Sequence, residues 1–110
     1  MLANIAKRSL FASLLAIAMA GCATAPPVQE MSDARQAIAA AREAGAEQRV
    51  PAMLQEAESH LSSAEDYLSR GDNSPNWSFA RREARAAKEI ALDALLRSRE
   101  AGEPKGSTSQ

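Results

Sequence analysis

The chain has one cysteine, one histidine, one tryptophan and one tyrosine, and aromatic residues make up 4% of its 110 residues. Each scarcity excludes something. A single cysteine, Cys22, cannot form an internal disulfide, so no disulfide framework holds this fold. A single histidine, His60, with no second histidine beside it, lacks the ligand set of a zinc site. No metal and no cofactor is expected. There is no glycine-rich phosphate loop and no nucleophile elbow. Glu65 and Asp66 are adjacent carboxylates, but consecutive helix residues diverge by about 100° and do not converge as a catalytic pair. Nothing here reads as an enzyme. The longest apolar run, Ser9 to Ala20, falls short of the roughly 20 residues of a membrane-spanning helix.

That short run sits in an informative place. Lys7 and Arg8 precede it, and Leu15 to Cys22 closes it as Leu-Ala-Ile-Ala-Met-Ala-Gly-Cys. A charged start, a short apolar core and small residues before a break point are the parts of a signal peptide. Met19-Ala20-Gly21-Cys22 resembles the lipobox of bacterial lipoproteins, with Met19 where that family prefers leucine. The resemblance implies lipidation of the Cys22 thiol, cleavage before it and acylation of the new amine. It also resolves a conflict, because a free thiol exported to an oxidising compartment is a liability. Stable anchoring needs at least two chains, each buried methylene contributing about 0.8 kcal/mol, and a mature lipoprotein carries more than two. Ala23 follows the cysteine where inner-membrane lipoproteins carry aspartate. The resemblance therefore implies the inner leaflet of the outer membrane, facing the periplasm.

Residues 1–21 are thus read as a removable signal, leaving 89 residues with 11 cations and 14 acids, a net charge of −3. That balance excludes a basic nucleic-acid binder as the default. Leu, Ile, Val and Phe number only 11 after Cys22, whereas alanine numbers 19. Alanine is the best helix former but buries little area. High helicity with a thin core follows.

Residues 22–31, with Pro26 and Pro27, read as the lipidated cysteine and an extended tether of about 3 Å per residue. Residues 102–110 read as a disordered tail. Between them lies an all-α domain, residues 32–101, an antiparallel hairpin or three-helix bundle with coiled-coil packing. The first helix covers about 32–44, capped by Ser32 and ended by Gly45. The second covers about 51–70, with Pro51 at its first position and Gly71 after it. The third covers about 75–101, with Ser74 as N-cap and Gly102 as the stop.

Leu54, Ala57, Leu61, Ala64 and Leu68 step by three and four, as do Trp77, Ala80, Ala84, Ala87, Ala91 and Ala94. Such seams mean coiled-coil packing, and the short turn between them makes the helices antiparallel. The derived layers are Leu68 with Ala80, Ala64 with Ala84, Leu61 with Ala87, Ala57 with Ala91, and Leu54 with Ala94. Large faces small in most of them. Flanking positions then pair Glu65 with Arg81, Glu58 with Lys88, Tyr67 with Glu83, and His60 with Ile90.

The order of lipobox, proline tether, Ala-Gly-Ala (Ala44 to Ala46), Leu-Gln-Glu-Ala (Leu54 to Ala57), Gly71-Asp72 and a second Ala-rich helix resembles a family of bacterial lipoproteins. That family is a domain of unknown function built of Ala-rich helical hairpins, some followed by an OmpA-like peptidoglycan-binding domain. No OmpA-like sequence is present here, so peptidoglycan binding is not carried over. The hairpin also resembles a degenerate tetratricopeptide unit, one where about three are needed.

Two surfaces stand out. Arg81, Arg82, Arg85 and Lys88 form a basic cluster, expected to pair with the acidic second helix or to meet anionic headgroups or cell-wall carboxylates. Ile90, Leu92, Leu95 and Leu96 spread beyond the seam and need the first helix or another chain to cover them. Trp77 and Tyr67 flank the turn and plug the end of the hairpin. The expected function is an envelope structural or adaptor module with a protein partner or weak self-association. The alternative is a ligand-binding or chaperone-like module with a groove at the Trp77–Tyr67 end.

Overall fold

The computed structural model describes residues 25–71 and 73–103, and every element among them is helical. Helix α1 runs Val28–Glu43, α2 is the single turn Ala46–Arg49, α3 runs Pro51–Ser69, and α4 runs Ser74–Gly102. Cys22, the expected signal segment and most of the expected C-terminal tail lie outside the described residues. No described helix is long and apolar enough to cross a membrane.

α3 and α4 form the expected antiparallel hairpin. Ala57, Ala64, Ala80, Ala84, Ala87, Ala91 and Ala94 are fully buried, and Leu54 nearly so. Leu54, Ala57, Ala91 and Ala94 share one apolar cluster, while Ala64, Ala80, Ala84 and Ala87 share the other. Leu61 packs against both and Leu68 against the second, as the derived layers require. The seam also continues one helical turn past its expected end at Ala94. Ser98, seven residues after Ala91, is completely buried, and its hydroxyl has no hydrogen-bond partner.

α1 completes a three-helix bundle. Its Met31, Ala34, Ala37, Ile38 and Ala41 are buried in the same two clusters. Glu30 meets Arg81 and Asp33 meets Lys88, so α1 runs parallel to α4. Arg35 meets Glu65 and Arg42 meets Glu58, so it runs antiparallel to α3. The start of α1 therefore lies beside the α3–α4 turn.

The helix starts differ from expectation in two places. α1 begins at Val28 rather than Ser32, because Pro27 is buried and its carbonyl accepts from the Met31 N–H at 3.1 Å. Ser32 lies inside the helix, where its hydroxyl accepts from Gln36 Nε2 instead of capping. The N-cap of α4 is Asn73, not Ser74. Asn73 Oδ1 accepts from the Asn76 N–H at 3.1 Å, and Asn76 Nδ2 donates to the Gly71 carbonyl at 3.1 Å. Asparagine is among the strongest N-caps, and this one is locked by a second bond.

Gly45 ends α1 as expected, at φ +89°, where a side chain would be strained. Its N–H bonds the Arg42 carbonyl at 2.9 Å. The chain then makes the unexpected turn α2, from which the exposed Arg49 reaches across to α4. Arg49 Nη1 donates to the Ala44 carbonyl at 3.0 Å and to the Ser98 carbonyl at 2.6 Å. One guanidinium thus ties the end of α1 to α4. It sits so close to α4 that a Cβ at Gly102 would come within 2.5 Å of it.

Candidate functional site

The basic cluster is built around α1. Arg81 is only 16% exposed and donates from Nε to Glu30 Oε1 at 3.0 Å. Its Nη2 donates to the Ala25 carbonyl. Arg85 approaches the same Glu30 oxygen at 3.8 Å but stays mostly exposed. Lys88 Nζ donates to Asp33 Oδ2 at 3.3 Å. Arg82 lies over the Phe79 ring, 5.1 Å from its centroid. The expected pairs Glu65–Arg81 and Glu58–Lys88 do not form. α1 fills the groove between them and supplies each with its own partner, Arg35 for Glu65 and Arg42 for Glu58. Arg81 and Lys88 are paired internally, by the first helix rather than the second, while Arg82 and Arg85 remain exposed.

Asp33 is held below the ordinary carboxylate value of 3.8. The largest cause is the Gln29 Nε2 donor at 2.8 Å, one helical turn back. Partial desolvation opposes it, and Lys88 adds a donor and a positive charge.

The expected apolar patch divides in two. Ile90 and Leu95 are half-buried and pack against the core cluster of α1, α3 and α4. They line the edge of the core and remain partly exposed. Leu92 and Leu96, one turn apart on the outward side of α4, are 40% and 57% exposed.

The other flanking pairs are also redrawn. His60 Nδ1 lies 2.7 Å from Glu83 Oε2, so the histidine flanks the seam with Glu83 rather than Ile90 as its partner. Tyr67 stacks on Phe79, with ring centroids 5.1 Å apart and planes 24° apart. Arg70 covers the outer face of Tyr67 at 5.0 Å. Arg70, Tyr67, Phe79 and Arg82 thus form a four-layer stack at the mouth of the hairpin. On the opposite flank Trp77, Leu68, Met31, Arg35, Pro26, Pro27 and Val28 line an open cleft of about 300 Å³. Among the described residues no group of three or more His, Cys, Asp or Glu side chains converges to hold a metal.

Sequence reasoning missed Arg49, Ser98 and the burial of Pro27. Ser98 carried a signal, since the heptad through Ala84 and Ala91 lands on it. Arg49 and Pro27 carried none, because their roles depend on how α1 docks. No family model, curated protein or solved structure matches the chain.

Proposed function

We propose that the protein is an outer-membrane-anchored periplasmic lipoprotein whose helical domain is a non-catalytic structural or adaptor module of the cell envelope. The observation that carries this reading is Met19-Ala20-Gly21-Cys22, closing a short apolar run behind Lys7 and Arg8. Kinship with the Ala-rich hairpin lipoproteins belongs to the same proposal and rests on the motif order from Cys22 to Asp72. In favour of an adaptor are Leu92 and Leu96, exposed together on α4, since leucine left in water forgoes roughly 1.5–3 kcal/mol of burial per side chain. They offer a protein partner, or a second copy, an apolar spot.

Cys22→Ser tests the anchor. The variant should accumulate as unprocessed precursor, and normal maturation on a gel would refute the lipoprotein reading. A photoreactive side chain at position 89, between Arg85 and Leu92 on the outward side of α4, tests the adaptor in cells. It should crosslink to one envelope protein or to a second copy, and Leu92→Glu with Leu96→Glu should abolish the product while helicity survives. Crosslinking unaffected by the double substitution would remove the leucines from the interface. The rival, a ligand-binding module, has the apolar cleft at Trp77 in its favour. A hydrophobic probe that titrates the Trp77 emission of the soluble domain to saturation would support it.

A further inference from the structure

We propose that the bundle stands on its hairpin end in the headgroup region of the membrane that holds its anchor, with Trp77 and the Arg70–Tyr67–Phe79–Arg82 stack as the footing. This rests on acylation of Cys22 and adds to it a second, non-covalent contact with phospholipid.

The first argument is reach. The Ala25 carbonyl is already held by Arg81, and Pro27 is buried. Only Ala23 and Thr24 separate Cys22 from Ala25. Three residue steps span at most about 11 Å even when fully extended. Residues 22–31 were expected to lift the domain away from the lipid. With α1 starting at Val28, the last four of those ten residues are helix. The interfacial zone on each side of the hydrocarbon is itself roughly 5–7 Å deep. An acylated Cys22 at its edge therefore brings the start of α1 to the headgroups, and the α3–α4 turn lies beside that start.

The second argument is composition. All three aromatic residues after Cys22, Tyr67, Trp77 and Phe79, lie at this end, within about 8 Å of the turn along their helices. The other end, built from Gly45, α2 and the last turn of α4, has none. Tyrosine and tryptophan are the residues of membrane interfaces, because one side of the ring is apolar and the other is polar. Phe79 is 40% exposed, and Val28 at the start of α1 is 72% exposed. Arg70, which also pairs with Asp66, and the exposed Arg82 lie over the two rings of the stack, and the Arg82 cation can meet phosphate oxygens. Apolar rings backed by guanidinium groups match a headgroup layer better than they match water.

The single tryptophan makes the test direct. The lipidated protein is placed in phosphatidylethanolamine–phosphatidylglycerol vesicles, with and without lipids brominated near the headgroup end of their acyl chains. Mass spectrometry of the N-terminal peptide first reports whether Cys22 is acylated. Trp77 emission should shift to shorter wavelength on reconstitution and be quenched by bromine. A reporter at the far end, Leu96→Trp in a Trp77→Phe background, should be neither shifted nor quenched. If Cys22 is acylated and the protein floats with the vesicles, yet wild-type Trp77 is untouched by bromine, the footing is wrong and the lipoprotein reading stands. Equal quenching of both reporters means that the bundle lies flat, which also overturns the footing. A peptide without lipid on Cys22 removes both readings together. The wild-type measurement needs no substitution, so it decides the question even if the reporter variant folds poorly.

Discussion

Towards α3, helix α4 presents Ala80, Ala84, Ala87, Ala91 and Ala94, all fully buried. Towards α1 it presents Arg81 and Lys88, each in an ion pair. The first contact is made by size. Alanine opposite leucine lets two backbones approach closely, and the alternation of large and small fixes which residues share a layer. The second is made by sign. α1 has a narrow apolar stripe with acids, Glu30 and Asp33, on the α4 side and bases, Arg35 and Arg42, on the α3 side. The α3 edge of the groove is acidic at Glu58 and Glu65, and the α4 edge is basic. If α1 entered this groove reversed, like charges would face each other. The seam therefore sets the register of the hairpin, and the flanking charges set the direction of the third helix in its groove. This second role is specificity more than strength, because exposed pairs contribute only about 0–1 kcal/mol each.

The largest effect should come from the seam. Leu54→Ala removes a nearly buried side chain opposite the alanine-lined end of α4 and should cost about 3 kcal/mol in chemical denaturation. For a domain this thin that is a large share of the total stability. A loss below about 1 kcal/mol would show that the seam collapses easily and does not carry the fold.

Reversing the four α1 charges tests the other contact. Glu30→Lys, Asp33→Lys, Arg35→Glu and Arg42→Glu together should cost about 2 kcal/mol and expose residues 28–43 to protease, with the α3–α4 hairpin still helical. Reversing Glu58, Glu65, Arg81 and Lys88 as well should restore protection. Loss of protection in both proteins would mean that the charges act through α1 helicity and not through pairing.

These two contacts also mark what could be read from the sequence. The hairpin was legible because its signal is one-dimensional: steps of three and four, Pro51 at a helix start, Gly71 before a turn. The places of Glu58, Glu65, Arg81 and Lys88 beside the seam were legible too. Their partners were not, since two helices of opposite charge look complete until a third is laid between them. For the same reason the sequence leaves open whether the first helix or another chain covers Ile90 and Leu95, which the three-helix core half-covers. Leu92 and Leu96 are left as the exposed remainder. Arg49 joins Ala44 to Ser98 across the bundle, and no local pattern encodes a contact between positions so far apart in the chain.

A smaller effect of opposite sign is expected at Ser98. Its hydroxyl is buried at a seam position without a partner, which leaves a desolvated donor uncompensated. Ser98→Ala keeps the shape of the seam and should stabilise the protein by about 1 kcal/mol. The Arg49 bond accepts at the backbone carbonyl of Ser98 and survives the substitution. A destabilised variant would show that the hydroxyl is satisfied in solution.

The smallest effect is a pH dependence of the α1–α4 contact. Asp33 titrates below 3.8 in the folded protein, chiefly because Gln29 donates to its carboxylate and secondarily because Lys88 does. A carboxyl whose folded value is depressed stabilises the fold while it is ionised. The contribution is complete above the unfolded value and is lost as the pH falls through the folded one. Wild-type stability should therefore drop more steeply below pH 3.8 than that of Asp33→Asn, with the two curves running parallel above it. Both members of the Asp33–Lys88 pair are partly exposed, so screening keeps the difference small, and it should shrink further in high salt. Gln29→Ala should flatten the wild-type curve more than Lys88→Met does, because the Gln29 hydrogen bond is the larger cause. The reverse order would make the lysine charge the dominant partner and give the α1–α4 contact more electrostatic strength than its geometry implies.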